Sequence, residues 1–181
     1  MTPVETLWIT LVLIFAVVGV VRGFLKELGV TLVLIVTLFG LTRLSNNLPR
    51  ILEMVASTTN VQAVRQVSDK SPWWLAFYIF ALLGAMFIAY QGYVIKYPGN
   101  EPGRIQGLLL SLMVGAINGY LVSGSLWYYV DKYKGPVLQL GLLQGGYTPL
   151  AQKLIQVLPP TVLYPYLPFL LVFMVVLLVI K

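Results

Sequence analysis

Histidine and cysteine are both absent from this chain of 181 residues. Their absence excludes disulfides, thiolate nucleophiles, Ser-His-Asp triads, zinc sites with nitrogen and sulfur ligands, iron–sulfur clusters and histidine-ligated haem. Charged residues are also scarce, at 10% of the chain, whereas hydrophobic residues make up 59%. Because an ordinary soluble protein carries about 25% charged residues, this composition indicates a membrane protein.

The scarcity of charge also removes the usual sets of catalytic groups. The apolar segments contain no pair of carboxylates and no activated nucleophile, and the phosphate-binding pattern GxxxxGK followed by Ser or Thr is missing. We therefore expect a non-enzymatic protein that holds no cofactor and no metal. The net charge of +6 is expected to arise from basic loops beside anionic lipid head groups, with no nucleic acid as partner.

Apolar runs long enough to cross a bilayer recur along the chain. We expect five spans, over about residues 3–21, 24–42, 72–95, 105–130 and 162–180. Residues 22–27 form a tight reversal, because one helix over residues 3–42 would be about twice as long as the membrane is thick. Residues 96–104, with two Pro-Gly pairs, form the turn between the third and fourth spans. The predicted fold is all-α and polytopic, with two helical hairpins and a C-terminal span in a single domain covering residues 1–181.

The two polar connectors, residues 43–71 and 131–160, carry apolar side chains at helical spacing. We expect them to form interfacial amphipathic helices on the membrane surface. Asn47 before Pro49 predicts the start of one helix, and Thr148-Pro149 predicts the start of another that Pro159-Pro160 ends. The apolar positions are Leu48, Ile51, Leu52 and Val55, then Val61, Val64 and Val67, and finally Leu150, Leu154, Val157 and Leu158.

The fourth span has a small residue at every fourth position. These residues are Gly107, Ser111, Gly115, Gly119 and Ser123. Hydrophobicity cannot drive helices together in lipid, so spans associate through the close contact that small side chains permit. The third span offers Ala81, Ala85 and Ala89, and the first span offers Gly19 and Gly23. We expect the third and fourth spans to pack together, with packing against another chain as the alternative.

Two polar residues of the spans, Asn118 and Glu27, have two interpretations each. Asn118 is expected to form a hydrogen bond between helices, and a contact with a polar substrate is the alternative. Arg22, Lys26, Trp73 and Trp74 are interpreted as anchors at the membrane interface. Glu27 is interpreted as a solvated partner of Lys26, with a gating role as the alternative. Basic residues are slightly more frequent on the side of the N-terminus, which favours a cytoplasmic N-terminus.

Residues 20–41, VVRGFLKELGVTLVLIVTLFGL, resemble the opening of the colicin V production protein (CvpA) family of bacterial inner-membrane proteins. The likeness lies in a first span that ends at Arg22-Gly23 and a basic stretch that leads into a second apolar helix. Residues 103–121, GRIQGLLLSLMVGAINGYL, are similar to a later glycine-spaced segment of that family. The family typically has four spans, so the expected span at 162–180 is a departure. The resemblance implies a non-enzymatic membrane protein associated with peptide export and envelope homeostasis, and it supplies no catalytic residue.

The expected function is that of a structural or accessory membrane protein that acts through helix packing, with membrane lipids and other membrane subunits as partners. An accessory subunit of a respiratory or photosynthetic complex is one alternative. It would touch lipid, quinone or pigment through tryptophans such as Trp8, Trp73, Trp74 and Trp127. A carrier or pore for a small amphiphile or peptide is the other alternative. Its polar lining would have to come from Gln91, Gln106, Asn118, Ser123 and Ser125.

Overall fold

The structure is a computed structural model that describes residues 4–59, 72–91, 95, 97–100, 102–133 and 147–180. These residues form the helices α1 (Val4–Arg22), α2 (Phe24–Thr59), α3 (Pro72–Gln91), α4 (Arg104–Lys132), α5 (Pro149–Ile155), α6 (Pro159–Val162) and α7 (Leu167–Val179). The described segments contain no strand. Helices α1 to α4 are long and apolar enough to cross a membrane, so the chain is an all-α, multi-pass membrane protein.

Gly23 forms the reversal between α1 and α2. Its φ of 90° lies in the left-handed region, which glycine adopts without the steric penalty of a side chain. The backbone N–H of Gly23 donates to the carbonyl of Gly19 (3.0 Å), and the N–H of Glu27 donates to the carbonyl of Gly23 (3.2 Å). The chain thus turns within a single residue, at the position where the sequence predicts a reversal.

Helix α2 does not end near residue 42 as expected. It continues through Pro49 to Thr59, and its 36 residues span about 54 Å against a bilayer core of about 30 Å. The prediction that Asn47 starts a separate surface helix is wrong, because the Asn47 side chain donates back to the carbonyl of Arg43 (2.8 Å). The second apolar stripe, Val61 to Val67, lies outside the described residues.

The C-terminal apolar run is broken into two helices. The one-turn helix α6 is followed by a turn at residues 163–166 and then by α7, whose 13 residues cover only about 20 Å. Proline has no backbone N–H, so Pro165 and Pro168 cannot donate to the carbonyls four residues earlier, which weakens a continuous helix at this turn. Four described helices thus have full spanning length and α7 is a shorter apolar helix, so the expected fifth span stays a prediction.

Helix α5 begins where the sequence predicts a helix start. The hydroxyl of Thr148 accepts a hydrogen bond from the backbone N–H of Ala151 (3.0 Å), and Pro149 occupies the first turn. The helix ends at Ile155, one turn earlier than expected, and Leu158 is fully buried beyond it. The predicted amphipathic helix is thus present but shorter, and it is tied into the bundle by Leu158.

The two expected hairpins are not the units of packing. Helix α1 lies mainly against α4, and α2 lies against α4, α3 and α7. Thr31 meets Asn118 and Ser45 meets Lys132, so α2 and α4 run parallel. The bundle has a turn end, which holds Gly23, residues 97–100 and residues 102–103, and an N-terminal end, which holds Val4, Lys132 and α5. The shared core contains Leu34, Leu38, Tyr78, Leu82, Leu121, Tyr129 and Leu167.

Candidate functional site

Glycines place the backbones of α1 and α4 in direct contact. A Cβ atom on Gly19 would lie 2.5 Å from the carbonyl oxygen of Ser111 and 2.8 Å from Cα of Gly115. A Cβ on Gly115 would lie 2.6 Å from the carbonyl oxygen of Phe15, and one on Gly119 would lie 2.8 Å from Cβ of Phe15. Because most of these neighbours are backbone atoms, which cannot rotate away, the contact requires glycine at these positions.

The helix that lies nearest to Gly115 and Gly119 is α1. Helices α3 and α4 contact each other as expected, but the alanines of α3 are not the partners of these glycines. Ala89 is buried and Ala81 and Ala85 are partly buried, but α3 lies mainly against α2. The reason is steric: Gly19 lets α1 approach α4 backbone to backbone, whereas the alanines of α3 each carry a methyl group that keeps backbones farther apart.

The remaining small residues of α4 have contacts of their own. A Cβ on Gly107 would lie 2.9 Å from the carbonyl oxygen of Pro102, so the turn before α4 folds onto its first residues. The hydroxyls of Ser111 and Ser123 donate to the carbonyls of Gly107 and Gly119, each at 2.6 Å. These serines therefore satisfy their hydroxyl donors within α4 itself.

Glu27, in the first turn of α2, is fully buried. Its Oε1 lies 3.1 Å from Nε of Arg22 in an ion pair. Its Oε2 accepts hydrogen bonds from Nδ2 of Asn118 (2.8 Å) and from the hydroxyl of Tyr90 (3.1 Å). The interpretation of Glu27 as a solvated partner of Lys26 is wrong, because Lys26 is exposed and the carboxylate of Glu27 has its partners inside the bundle.

Asn118 links α4 to α2, as the sequence predicts for an interhelical hydrogen bond. It is fully buried, and it lies at the middle of α4, 14 residues from Arg104 and 14 from Lys132. Its Nδ2 also donates to the carbonyl of Glu27 (3.1 Å), and its Oδ1 accepts from the hydroxyl of Thr31 (2.8 Å). All the donors and acceptors of the amide are thus directed at α2.

Arg22 connects α1 to α3 as well as to Glu27. Its side chain is 21% exposed, its Nη1 donates to the carbonyl of Tyr90 (2.7 Å), and its guanidinium carbon lies 4.5 Å from the centre of the Tyr90 ring. The guanidinium is therefore held inside the protein, in contrast to the expected role as a surface anchor. Lys26 and Trp73 are exposed at helix ends, and their contact with lipid head groups stays a prediction.

These side chains form one group, the polar cluster, made of Arg22, Glu27, Thr31, Tyr90 and Asn118. It draws at least one residue from each of the four spanning helices, and its two formal charges cancel. A buried ion pair with full hydrogen bonding adds little net stability, but removing one partner is strongly destabilising because a buried charge is left alone. The polar cluster therefore links the four helices and fixes their arrangement.

The sequence contained a signal for the burial of Glu27 that the initial interpretation missed. Glu27, Thr31, Leu34 and Leu38 follow one another at helical spacing, and all four are buried on the same face of α2. A carboxylate in line with the core leucines of a span requires a partner inside the bundle. That partner was not identifiable, because Asn118 and Tyr90 are distant in the chain.

A second polar region lies at the N-terminal end of the bundle. The rings of Tyr78 and Tyr129 stack with centroids 4.6 Å apart, and Tyr133 stacks on Tyr78 at 5.8 Å. Lys132 donates a hydrogen bond from Nζ to the hydroxyl oxygen of Ser45. Beside these residues is a cavity of about 340 Å³, which is lined by Ser45, Asn46, Leu48, Pro49, Lys132 and Tyr133.

The residues considered for a polar passage do not line one together. Gln91 and Gln106 are exposed, whereas Asn118, Ser123 and Ser125 are buried, and Asn118 belongs to the polar cluster. In the parts of the chain that the structure describes, no three acidic side chains lie close enough to hold a metal ion.

The tryptophans considered for quinone or pigment contact are divided between interior and surface. Trp8 and Trp127 pack edge to face inside the bundle, with ring centroids 6.2 Å apart, and the ring centroids of Trp127 and Tyr147 are 6.3 Å apart. Trp74 packs edge to face on Phe77, and Trp73 is 81% exposed. The four tryptophans therefore do not form one common surface.

Comparisons of this chain with models of known protein families, with curated proteins and with solved structures find no match. The resemblance to the CvpA family accordingly stays a prediction.

Proposed function

We propose that this chain is a non-enzymatic structural or accessory protein of the bacterial inner membrane, similar in role to the CvpA family, that acts by packing against other membrane subunits. The observation that carries the proposal is that Glu27 and Asn118 bond to residues on other helices of the same chain. Both side chains are polar and fully buried in the spans, and both serve contacts between helices. A transport or catalytic site would instead direct such groups toward a passage or a bound substrate.

The rigidity of the bundle supports a role as a packing partner. Direct backbone contact between α1 and α4 and the polar cluster together restrict the relative movement of the four spanning helices. A rigid set of helices presents a fixed outer surface, so a second membrane protein can bind it with little loss of conformational freedom.

Two glycines on the outer surface offer places where another helix can approach closely. Gly40 on α2 and Gly84 on α3 are exposed, and a Cβ atom on either would meet no atom within 4 Å. These positions differ from Gly19 and Gly115, whose space is filled by a neighbouring helix of the same chain. In lipid, an open glycine on a span permits the backbone contact through which helices of different chains associate.

The experiment that tests the proposal compares the subunits recovered with variants of the full chain. The wild-type protein is extracted in a mild detergent after crosslinking in the membrane, and the associated subunits are identified by mass spectrometry. We expect a defined heteromeric complex, and we expect Gly84→Leu to reduce its yield without changing the thermal stability of the chain itself. Gly103→Leu is the matched control, because Gly103 is also open but precedes α4 outside the span.

Two results would contradict this proposal. A homogeneous protein with no associated subunit, together with solute flux after reconstitution into liposomes, would support the carrier alternative. An equal loss of partner in Gly84→Leu and Gly103→Leu would show that the outer face of α3 is not the binding surface. The identity of the recovered subunits also tests the alternative of a respiratory or photosynthetic complex.

A further inference from the structure

The cavity between α2 and α4 at the N-terminal end of the bundle is lined by both polar and apolar residues. Lys132, Ser45 and Asn46 supply an ammonium group, a hydroxyl and an amide, whereas Leu48 and Pro49 are apolar. Its volume of about 340 Å³ is at the lower end of the range for small-molecule sites. The cavity is therefore large enough for a small polar head group next to an apolar chain.

Pro49 gives a physical reason for a cavity at this place. A proline inside a helix cannot donate a hydrogen bond to the carbonyl four residues earlier, here that of Ser45, and its ring pushes that turn of the helix apart. Both residues line the cavity. The opening thus lies at the weakened turn of α2, opposite the last turn of α4.

The position of the cavity along the helices places it at the boundary of the apolar region. The apolar part of α2 is interrupted by Arg43, and α4 ends with Asp131 and Lys132. The charges of both helices begin at this level, where the phosphates of a bilayer lie. A ligand of the cavity is therefore most accessible from the lipid head groups.

The charges around the cavity favour an anion. Lys132 is the charged residue among those that line the cavity. Arg43 has other contacts, because its guanidinium carbon lies 5.4 Å from the centre of the Phe39 ring and 5.8 Å from the centre of the Tyr164 ring. Glu53 is four residues from Pro49, about 6 Å along the helix axis, but its side chain is exposed, so solvent screens its charge. Asp131, next to Lys132, is not among the lining residues.

From these observations we infer that the cavity binds the phosphate group of an anionic phospholipid. A phosphate only accepts hydrogen bonds, which matches the donors of Lys132, Ser45 and Asn46, and lysine binds phosphate as a point charge. Leu48 and Pro49 contact the apolar part of the lipid beside its head group. Basic pockets between membrane helices are a known mode of binding for such head groups.

Native mass spectrometry of the full chain in detergent tests this inference. The probes are phosphatidylglycerol as anionic lipid, phosphatidylcholine as zwitterionic lipid and inorganic phosphate. We expect the wild-type protein to retain phosphatidylglycerol over phosphatidylcholine, and Lys132→Gln to weaken that binding about fivefold, the effect of one basic residue near a membrane surface. Lys132→Arg keeps the charge and is expected to bind as the wild type does.

Lys153→Gln is the matched control, because Lys153 is an exposed lysine of α5 at the same end of the bundle and does not line the cavity. Asn46→Asp, which adds a negative charge to the opposite wall at an exposed position, is expected to weaken binding as well. Asn46 and Lys153 lie at exposed positions, and Lys132→Arg keeps a donor for Ser45, so these three variants are expected to keep the thermal stability of the wild-type chain.

The outcomes distinguish a lipid phosphate from free phosphate as the ligand, or show that the cavity is not a binding site. Weaker binding of phosphatidylglycerol in Lys132→Gln and Asn46→Asp, but not in Lys153→Gln, supports a lipid site. Inorganic phosphate that binds as tightly as the lipid, and with the same dependence on Lys132, would show that the ligand is free phosphate. Equal effects of Lys132→Gln and Lys153→Gln, or no effect of either, would overturn the inference, because any binding would then depend only on general surface charge.

Discussion

Removal of the Arg22 side chain is the sharpest test of the polar cluster. In Arg22→Met, the carboxylate of Glu27 stays fully buried but loses its ion pair, although Asn118 and Tyr90 still donate hydrogen bonds to it. Breaking a buried ion pair from one side costs about 3 to 5 kcal/mol. Because two hydrogen bonds remain and the Arg22 side chain is 21% exposed, we expect a loss at the lower end, about 3 kcal/mol.

The companion variant Glu27→Gln is expected to lose much less stability than Arg22→Met. The glutamine keeps an acceptor for Asn118 or Tyr90, and the guanidinium of Arg22 keeps its hydrogen bond to the carbonyl of Tyr90 and some access to water. The loss of a typical hydrogen bond costs about 1 kcal/mol. The double variant contains no uncompensated buried charge, so we expect it to be more stable than Arg22→Met alone.

Thermal unfolding in detergent, followed by near-ultraviolet circular dichroism, measures these differences. For a chain of this size, 1 kcal/mol corresponds to a shift of about 2 to 4 °C, so Arg22→Met is expected to lower Tm by about 6 to 12 °C. Lys26→Met is the control, since it removes an exposed positive charge one turn away and is expected to change stability by less than about 0.5 kcal/mol.

The result that would refute this reasoning is additivity. If the double variant were destabilised by the sum of the two single effects, Arg22 and Glu27 would not interact in the folded protein. A Tm of Arg22→Met equal to that of Lys26→Met would likewise show that Glu27 does not depend on a buried partner.

Three further predictions concern the glycine contacts and the attachment of α7. Gly115→Ala is expected to lower stability by about 1 to 3 kcal/mol because its Cβ would meet backbone atoms of α1. Gly84→Ala is expected to be neutral or slightly stabilising, because a Cβ on Gly84 meets open space. Equal Tm values of the two variants would disprove the backbone contact. Gly23→Ala is expected to destabilise by about 1 to 2 kcal/mol because φ is 90°, and an unchanged urea midpoint would contradict that strain. Burial raises the pKa of the Tyr97 phenol, whose hydroxyl donates to the carbonyl of Met174 at 2.8 Å. The stabilisation that the neutral phenol provides is complete below the ordinary pKa of about 10 and is lost as the pH rises through the raised value. Above pH 10, the Tm of Tyr97→Phe is therefore expected to fall less with rising pH than the Tm of the wild type. An equal fall in both proteins would exclude this role of Tyr97.

The spans and their connecting turns could be predicted from local sequence. Helix α1 ends at Arg22, one residue from the predicted boundary, and Gly23 reverses the chain because glycine is the residue that adopts a positive φ readily. The start of α5 at Pro149 followed from the Thr148-Pro149 pair, since proline is favoured in the first turn of a helix and the Thr148 hydroxyl caps the N–H of Ala151. Each of these features depends on a few adjacent residues, so the sequence pattern contained the necessary information.

The partners of the helices could not be predicted in the same way. The small residues of α4 indicated close packing, but an alanine series on α3 and a glycine on α1 were both available as complements, and only the folded bundle shows that α1 fills the contact. The extension of α2 through Pro49 likewise depends on the burial of Leu48 by neighbouring helices, which overrides the local preference for a helix end.

Composition alone determined that the chain belongs in a membrane, since 59% hydrophobic residues and 10% charged ones leave no ordinary polar surface. Periodicity and breaker residues determined where helices run and where the chain turns. Tertiary structure alone decided that Glu27 meets Arg22, Tyr90 and Asn118, because these residues come from separate helices. The physical reason is that a buried charge is tolerated only beside its partners, and which partners are near is a property of the folded bundle and not of any single helix.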